Sequence, residues 1–454
     1  MPFATTNPAT GKTEKEFPTM TSAEVDGLLD QAVNAFDAYR RTTYEERSRH
    51  MITAAELLEG EVPDVARILT TEMGKTFAAA KAEVSKCAMA LRWFADNAER
   101  LLADELIPTK ATKSYVHYQP IGPVLAVMPW NFPMWQVIRF AAPALMVGNV
   151  GLLKHASNVP QTALAIEDLF RRAGLPAGVF TNLFVESKDV ADLIHDPRIK
   201  AVTITGSERA GKSVAAAAGD ALKKSVLELG GSDPFVVLPS ADLDTAVRTA
   251  VTARVQNNGQ SCIAAKRFIV HQAVADEFLT RFTEAMDALV VGDPFDAATD
   301  VGPIVTETQR DELVNQVEAA RTQGADVHAS SNVPSGDGWY FPPTVISNVT
   351  VDTPVAQEEI FGPVALVLAV PDLDTAIAAA NATPFGLGSS VWTNDTAEIA
   401  RCVEEIEAGA VFVNAMVAST PELPFGGVKT SGYGRELSEL GLKEFTNQKT
   451  VWIG

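Results

Sequence analysis

Apolar residues recur at helical spacing through residues 23–39, 44–58 and 76–102, the pattern of amphipathic helices. Cys87 falls among Val84, Leu91 and Phe94 on the apolar face of the third, where a thiol packs rather than reacts. After Tyr115 the texture changes. Short apolar runs at 124–128, 150–153, 182–185 and 201–204 alternate with helical stretches at 161–173 and 207–222. That alternation predicts parallel strands joined by helical crossovers. A second alternating set begins at 234–238. Asp242-Leu243-Asp244-Thr245-Ala246 opens a helix there, capped by Asp242 or Asp244. Asp372-Leu373-Asp374-Thr375-Ala376 nearly repeats the pattern, as a shared strand-to-helix device too short to mark a duplication. Glycine-rich turns follow at Gly426-Gly427 and Ser431-Gly432-Tyr433-Gly434. The tail at 449–453 reads as an edge strand, free to pair within the chain or with another subunit.

Length and charge narrow the function. The chain has 454 residues, which at about 150 residues per domain gives two or three domains. No low-complexity linker separates them, so tight packing is expected. A formal net charge of −20 argues against nucleic-acid and anionic-membrane partners, because phosphate surfaces attract basic proteins. Phe140 to Val147 is too short to span a bilayer, and Arg139 and Lys154 flank it. The N-terminal Met1-Pro2-Phe3-Ala4-Thr5-Thr6-Asn7-Pro8 lacks a charged start followed by an apolar run, so no secretory signal is expected. Three widely spaced cysteines suit a reducing cytoplasm. The six histidines are scattered singly, and no metal site is expected.

The candidate chemistry centres on Cys262. It closes Asn257-Asn258-Gly259-Gln260-Ser261-Cys262, a polar run that makes a poor core strand. Gly259 permits a sharp turn, so the thiol can sit at a pocket wall and act as a nucleophile once activated; the alternative is simple packing. Glu228 stands between Leu227 and Leu229 and before Gly230-Gly231. A carboxylate in such company is either salt-bridged or a general base. Asn131 lies between Trp130 and Phe132, with Pro129 and Pro133 flanking. Its amide can donate to an oxyanion, or make ordinary turn bonds. Gly206-Ser207-Glu208-Arg209-Ala210-Gly211 follows a strand and opens a helix whose free N–H groups can receive a phosphate, although an ordinary strand-to-helix turn has the same form.

Together these motifs resemble the aldehyde dehydrogenase superfamily from about Asn7 to Trp452. The match includes Pro-Trp-Asn-Phe-Pro, Thr205-Gly206-Ser207, Leu-Glu-Leu-Gly-Gly, Gly-Gln-Ser-Cys, Glu359-Ile360-Phe361-Gly362-Pro363 and Pro424-Phe425-Gly426-Gly427. The resemblance implies an α/β fold: a Rossmann-type cofactor domain (1–117 and 138–228), an α/β catalytic domain (229–415), and a small β oligomerisation element (118–137 and 430–454) in a homodimer or tetramer. It implies Cys262 as nucleophile, Glu228 as base and Asn131 as oxyanion donor. Trp130, Lys154, Ser157, Gly206, Ser207, Glu359 and Phe361 would hold the cofactor. Many NAD-using members carry glutamate three residues after that lysine. Here Ser157 removes a charge that would repel a 2′-phosphate, so NADP is expected to be preferred, with NAD possible. Arg139, Arg267, Ser419 and Trp135 match positions near the substrate in semialdehyde-using members, although either arginine can instead be a structural ion-pair partner. The whole pattern is most similar to the short succinate-semialdehyde dehydrogenases. The expected reaction is oxidation of a small aldehyde through a thiohemiacetal and a thioester that Glu228 helps water to release. Rival readings are a broader-specificity dehydrogenase, an acylating reductase, a silent structural relative and a cysteine hydrolase. An acylating enzyme would gain nothing from a water-activating carboxylate.

Overall fold

The computed structural model describes residues 3–454. The three N-terminal helices expected from periodicity form at Ser22–Tyr39, Tyr44–Gly60 and Phe77–Leu101. Side-chain caps set their starts. Thr21 with Glu24 and Thr43 with Glu46 make reciprocal capping boxes, and Thr76 caps the third. Cys87 is fully buried. Asp242, not Asp244, caps Leu243–Val255 by accepting from the Thr245 N–H; Asp372 does the same for Leu373–Asn381.

Two sheets organise the chain. The first has six strands in the order Gly432–Tyr433, Lys224–Glu228, Ala201–Thr205, Pro123–Met128, Val150–His155 and Phe180–Asn182. All pairs are parallel except the one made by Gly432–Tyr433. From Pro123–Met128 the chain builds outward on one side, then returns to build on the other. Ligands of open α/β sheets bind beyond the strand carboxyl ends at such a reversal. The second sheet has seven strands: Asp326–Ala329, Thr344–Ser347, Val364–Val370, Ala265–His271, Asp233–Val237, Ser389–Trp392 and Val411–Val413. Only Asp326–Ala329 runs antiparallel to its neighbour.

One expectation is corrected. The strand expected at 182–185 is Phe180–Asn182. The apolar run continues past it because Phe184 is buried against Phe3 and Phe17 of an N-terminal hairpin, with ring centroids 4.8 and 5.8 Å away. Apolar runs report burial, and here burial outlasts pairing. Segment 118–137 contributes to two sheets. Lys113–Pro120 pairs antiparallel with Thr446–Ile453 of the same chain. Pro123–Met128 instead forms the middle of the six-stranded sheet, bonded to parallel strands on both edges.

Among the described residues no helix is long and apolar enough to cross a membrane, and no group of three or more His, Cys, Asp or Glu could hold a metal ion.

Candidate active site

The topology brings the sequence motifs to one edge. Pro129–Pro133 follow Met128, Ala156 and Ser157 follow His155, Gly206 follows Thr205, and Leu229-Gly230-Gly231 follow Glu228. Strand register aligns these ends: Met128 is opposite His155, and Thr205 is opposite Glu228. Residues 229–232 then cross directly into Asp233–Val237, so the carboxyl edge of the first sheet meets the amino edge of the second.

Cys262 enters from that second edge, three residues before Ala265–His271. Its approach is unusual backbone. Asn257, Asn258 and Gly259 adopt φ of 57°, 58° and 75° in succession. Left-handed non-glycine residues cost about 1 kcal/mol or more each and persist only when their surroundings hold them. Those surroundings are visible. The Asn257 amide donates to Asn131 O (2.8 Å) and Gln260 O (2.9 Å). The Asn258 amide donates to Gly74 O and Pro303 O, and Arg254 donates to Gly259 O. A Cβ on Gly259 would collide with the Gly362 backbone. Lys266 donates from below to Ser261 O (2.8 Å) and Cys262 O (2.7 Å). Cys262 is half-buried. Desolvation pushes its pKa up to about 12, against the pull of Arg139 and Lys266.

Asn131 touches this loop. Its Nδ2 donates to Gln260 O at 3.2 Å, while its own carbonyl receives the Asn257 amide and the Lys75 ammonium (2.9 Å). Lys75 is buried in an ion pair with Glu83 (2.5 Å). Glu83 also accepts from the Met134 and Trp135 N–H groups, at 2.9 Å each, and so caps the helix Trp135–Val147 from outside. His155 pins the other flank. Its Nε2 lies 2.8 Å from Pro133 O, and its Nδ1 lies 3.3 Å from Met128 O and 2.9 Å from the Ala156 nitrogen. Burial holds its pKa down to about 4.

Glu228 is 2% exposed and ends its strand between Thr205 and Gly432. Neither carboxyl oxygen has a hydrogen-bond partner among the described residues. Desolvation first, and Glu436 second, raise its pKa well above the ordinary carboxylate value. A Cβ on Gly426 would lie 2.8 Å from Glu228 Oε1. Gly426 lines a cavity of about 420 Å³ together with Ile263, Val417, Ser419 and Phe425. The cavity therefore has the neighbour of Cys262 in its wall and the Glu228 carboxyl behind Gly426. A wider groove of about 880 Å³ along the helix Ser22–Tyr39 holds none of the candidate residues.

The other expected residues divide. Lys154 is buried and donates to Ser187 Oγ at 3.4 Å; desolvation lowers its pKa. Ser157 holds the hairpin through its carbonyl, which accepts the Ala4 N–H (3.0 Å). Ser207 caps the helix Glu208–Asp220, and a Cβ on Gly206 would make only ordinary contacts with Ile204 and Ala210, at 3.8–4.0 Å. Glu359 accepts from the Gly231 N–H (3.0 Å) and faces Lys266 at 3.7 Å. Phe361 and Trp130 meet edge to face at 5.6 Å. Trp135 Nε1 donates to Ser419 Oγ (3.2 Å).

Both arginines are committed elsewhere. Arg267 is fully buried, and its guanidinium donates to Ser232 O, Ala379 O and Ala380 O at 2.7–2.9 Å. It ties segments of the fold together and is not free for a substrate. Arg139 is buried in an ion pair with Glu436, donates to Thr205 Oγ1 (3.3 Å) and lies over the Phe425 ring. It sits at the site with its charge already answered. The sequence reading missed Lys75, Glu83, Lys86, Asp233 and Lys266. The signal available was a charge on an otherwise apolar helix face or strand. Asp233, buried at the start of its strand, has its pKa raised by desolvation to about 7.

Fold and site together define an α/β protein in which Cys262 lies where a reversing parallel sheet meets a second, mostly parallel sheet. The aldehyde dehydrogenase family model matches residues 1–451, and the chain belongs to that family. It is 57% identical, over 458 aligned positions, to the NADP-dependent succinate-semialdehyde dehydrogenase of Mycobacterium avium strain 104, covering all of this chain and 97% of that protein. It is 56% identical to succinate-semialdehyde dehydrogenase [NADP(+)] 1 of Mycobacterium tuberculosis H37Rv over the whole of both. Among solved structures, succinic semialdehyde dehydrogenase of Streptococcus pyogenes with NADP+ superposes with a TM-score of 0.97 at 37% identity, covering 99% of each chain. Gox0499 superposes at 0.98 with 43% identity, covering all of both chains.

Proposed function

We propose that this protein oxidises succinate semialdehyde to succinate with NADP as preferred acceptor and NAD as the weaker one. The observation that carries the chemistry is the bare Glu228 carboxyl behind a cavity whose wall holds the neighbour of Cys262. The full-length likeness to NADP-dependent succinate-semialdehyde dehydrogenases supports the substrate.

Cys262 passes its proton to Glu228, which releases it to solvent, and its sulfur adds to the aldehyde carbon, forming the C–S bond and an alkoxide. The remaining Asn131 amide hydrogen and the Cys262 backbone N–H hold that oxygen. Loss of a hydride, with its electron pair, turns the adduct into a thioester; accepting that hydride is the chemistry the nicotinamide supplies when bound. Glu228 then takes a proton from water, whose oxygen attacks the acyl carbon. The C–S bond breaks, Glu228 returns its proton to the leaving sulfur, and the acid departs with the thiol regenerated.

The cofactor residues fit a phosphorylated dinucleotide. Lys154 has no carboxylate partner among the described residues, and Ser157 adds a hydroxyl rather than a second negative charge. Gly206 and Ser207 open a helix N-terminus suited to the pyrophosphate. Glu359 and Phe361 would meet the nicotinamide ribose end, with Trp130 against Phe361. The six-stranded sheet is thus assigned to the cofactor and the seven-stranded sheet to the thiol. The sheet formed by Glu105–Leu106, Lys113–Pro120 and Thr446–Ile453, with Leu106, Trp452 and Ile453 exposed, is assigned to pairing with another copy in the cytoplasm. The test compares succinate semialdehyde with butanal, each with NADP and NAD, before and after Ser157→Glu. The expected result is preference for the semialdehyde and for NADP, with the cofactor preference reversed in the variant. Equal use of both cofactors by the parent overturns the NADP assignment.

A further inference from the structure

We propose that Lys86, paired with Ser419, is the cation that receives the carboxylate of the semialdehyde. The inference rests on the substrate reading above and adds the residue that sets its selectivity. The cavity beside Cys262 is lined by Val413, Val417, Leu423 and Phe425, and no charged side chain is in its wall. A carboxylate entering it needs a cation at its edge, because an unpaired charge in such a lining is costly. Arg267 is bound to three backbone carbonyls. Arg139 is bound to Glu436, so a substrate would have to displace a buried carboxylate to reach it.

Lys86 is placed differently. It stands on the helix Phe77–Leu101, its ammonium 2.9 Å from Ser419 Oγ and 4.0 Å from the Trp135 ring centroid. It makes no ion pair with a carboxylate among the described residues. Ser419 Oγ accepts from both Lys86 and Trp135 Nε1. With both lone pairs engaged, its hydroxyl proton is left to donate, and Ser419 lines the cavity. An ammonium and a hydroxyl donor thus converge on one spot. Nearby Cys262 adds to the positive side of the Lys86 balance and Arg139 opposes it, so the cation lies within electrostatic reach of the thiol. The substrate would lie between them, aldehyde toward Cys262 and carboxylate toward Lys86.

The experiment measures kcat/KM for succinate semialdehyde and for butanal in the parent, Lys86→Gln and Lys86→Arg. The expected result is a fall of about 30-fold or more in the semialdehyde-to-butanal ratio for Lys86→Gln, carried mainly by KM. Lys86→Arg, which keeps the charge, should recover part of it. Lys86→Met replaces Lys86→Gln should the latter not fold. A parent that prefers the semialdehyde, and a neutral variant that keeps the preference, overturn this inference alone. A parent without that preference overturns the substrate reading and this inference with it.

Discussion

Glu72 and Glu228 are both buried carboxyls, 1% and 2% exposed, and burial raises the pKa of both. They differ in what meets them. Glu72, under the N-terminal hairpin, accepts from Thr5 Oγ1, the Gln161 and Thr162 N–H groups and Thr162 Oγ1, at 2.7–3.0 Å. It locks the hairpin to the start of the helix Pro160–Arg172. Glu228 accepts from no group among the described residues. A saturated carboxyl is a fastener; a bare one next to a cavity is available to substrate and water. Burial alone would have ranked the two alike.

The largest effect should come from removing each. Glu72→Ala strands several buried donors and should cost about 3 kcal/mol of stability, seen as a lower Tm, with turnover per folded molecule retained. Glu228→Ala removes a desolvated group without partners and should change stability by less than about 1 kcal/mol, while turnover falls about 10²-fold or more. Matching Tm losses in the two variants would erase the contrast. Asn131→Ala tests the donor side. Loss of one oxyanion donor should lower kcat by about 10²-fold, equivalent to about 3 kcal/mol, with KM little moved. A change confined to KM would contradict that role.

The smallest effect is in pH. Desolvation lowers the Lys86 pKa to about 8, with Arg139 opposing its charge and Cys87, Glu83 and Cys262 favouring it. Lys86 is therefore charged below about pH 8 and neutral above it, where an ordinary lysine would stay charged. The ratio of kcat/KM for semialdehyde over butanal should hold below pH 8 and decline several-fold above it. Taking the ratio cancels the titration of Cys262 and Glu228, which both substrates share. A ratio that stays flat to pH 10 would count against Lys86.

Much of the architecture could be read from strand-and-helix alternation, because parallel strands with crossover helices leave a periodic record. The motifs could be located for a related reason: each directly follows an apolar run, and strand ends are where an open sheet exposes groups. Partners were harder. Arg267 resembles a substrate cation until Ser232, Ala379 and Ala380 are seen to present carbonyls to it from distant segments. Lys86 looks like one polar position on a long helix. Its contact with Ser419 joins residues 333 positions apart, and no periodicity carries such a contact. Glu228 could be placed on a strand, but whether it was salt-bridged or free depended on Arg139 choosing Glu436.

The central claim is that Cys262 carries the acyl group and Glu228 releases it. The most direct measurement is intact mass of Glu228→Gln after mixing with succinate semialdehyde and NADP. The account predicts a mass increase equal to one succinyl thioester, localised to Cys262 and absent from Cys262→Ala. A variant that stays unmodified while turning over at the parent rate would contradict it.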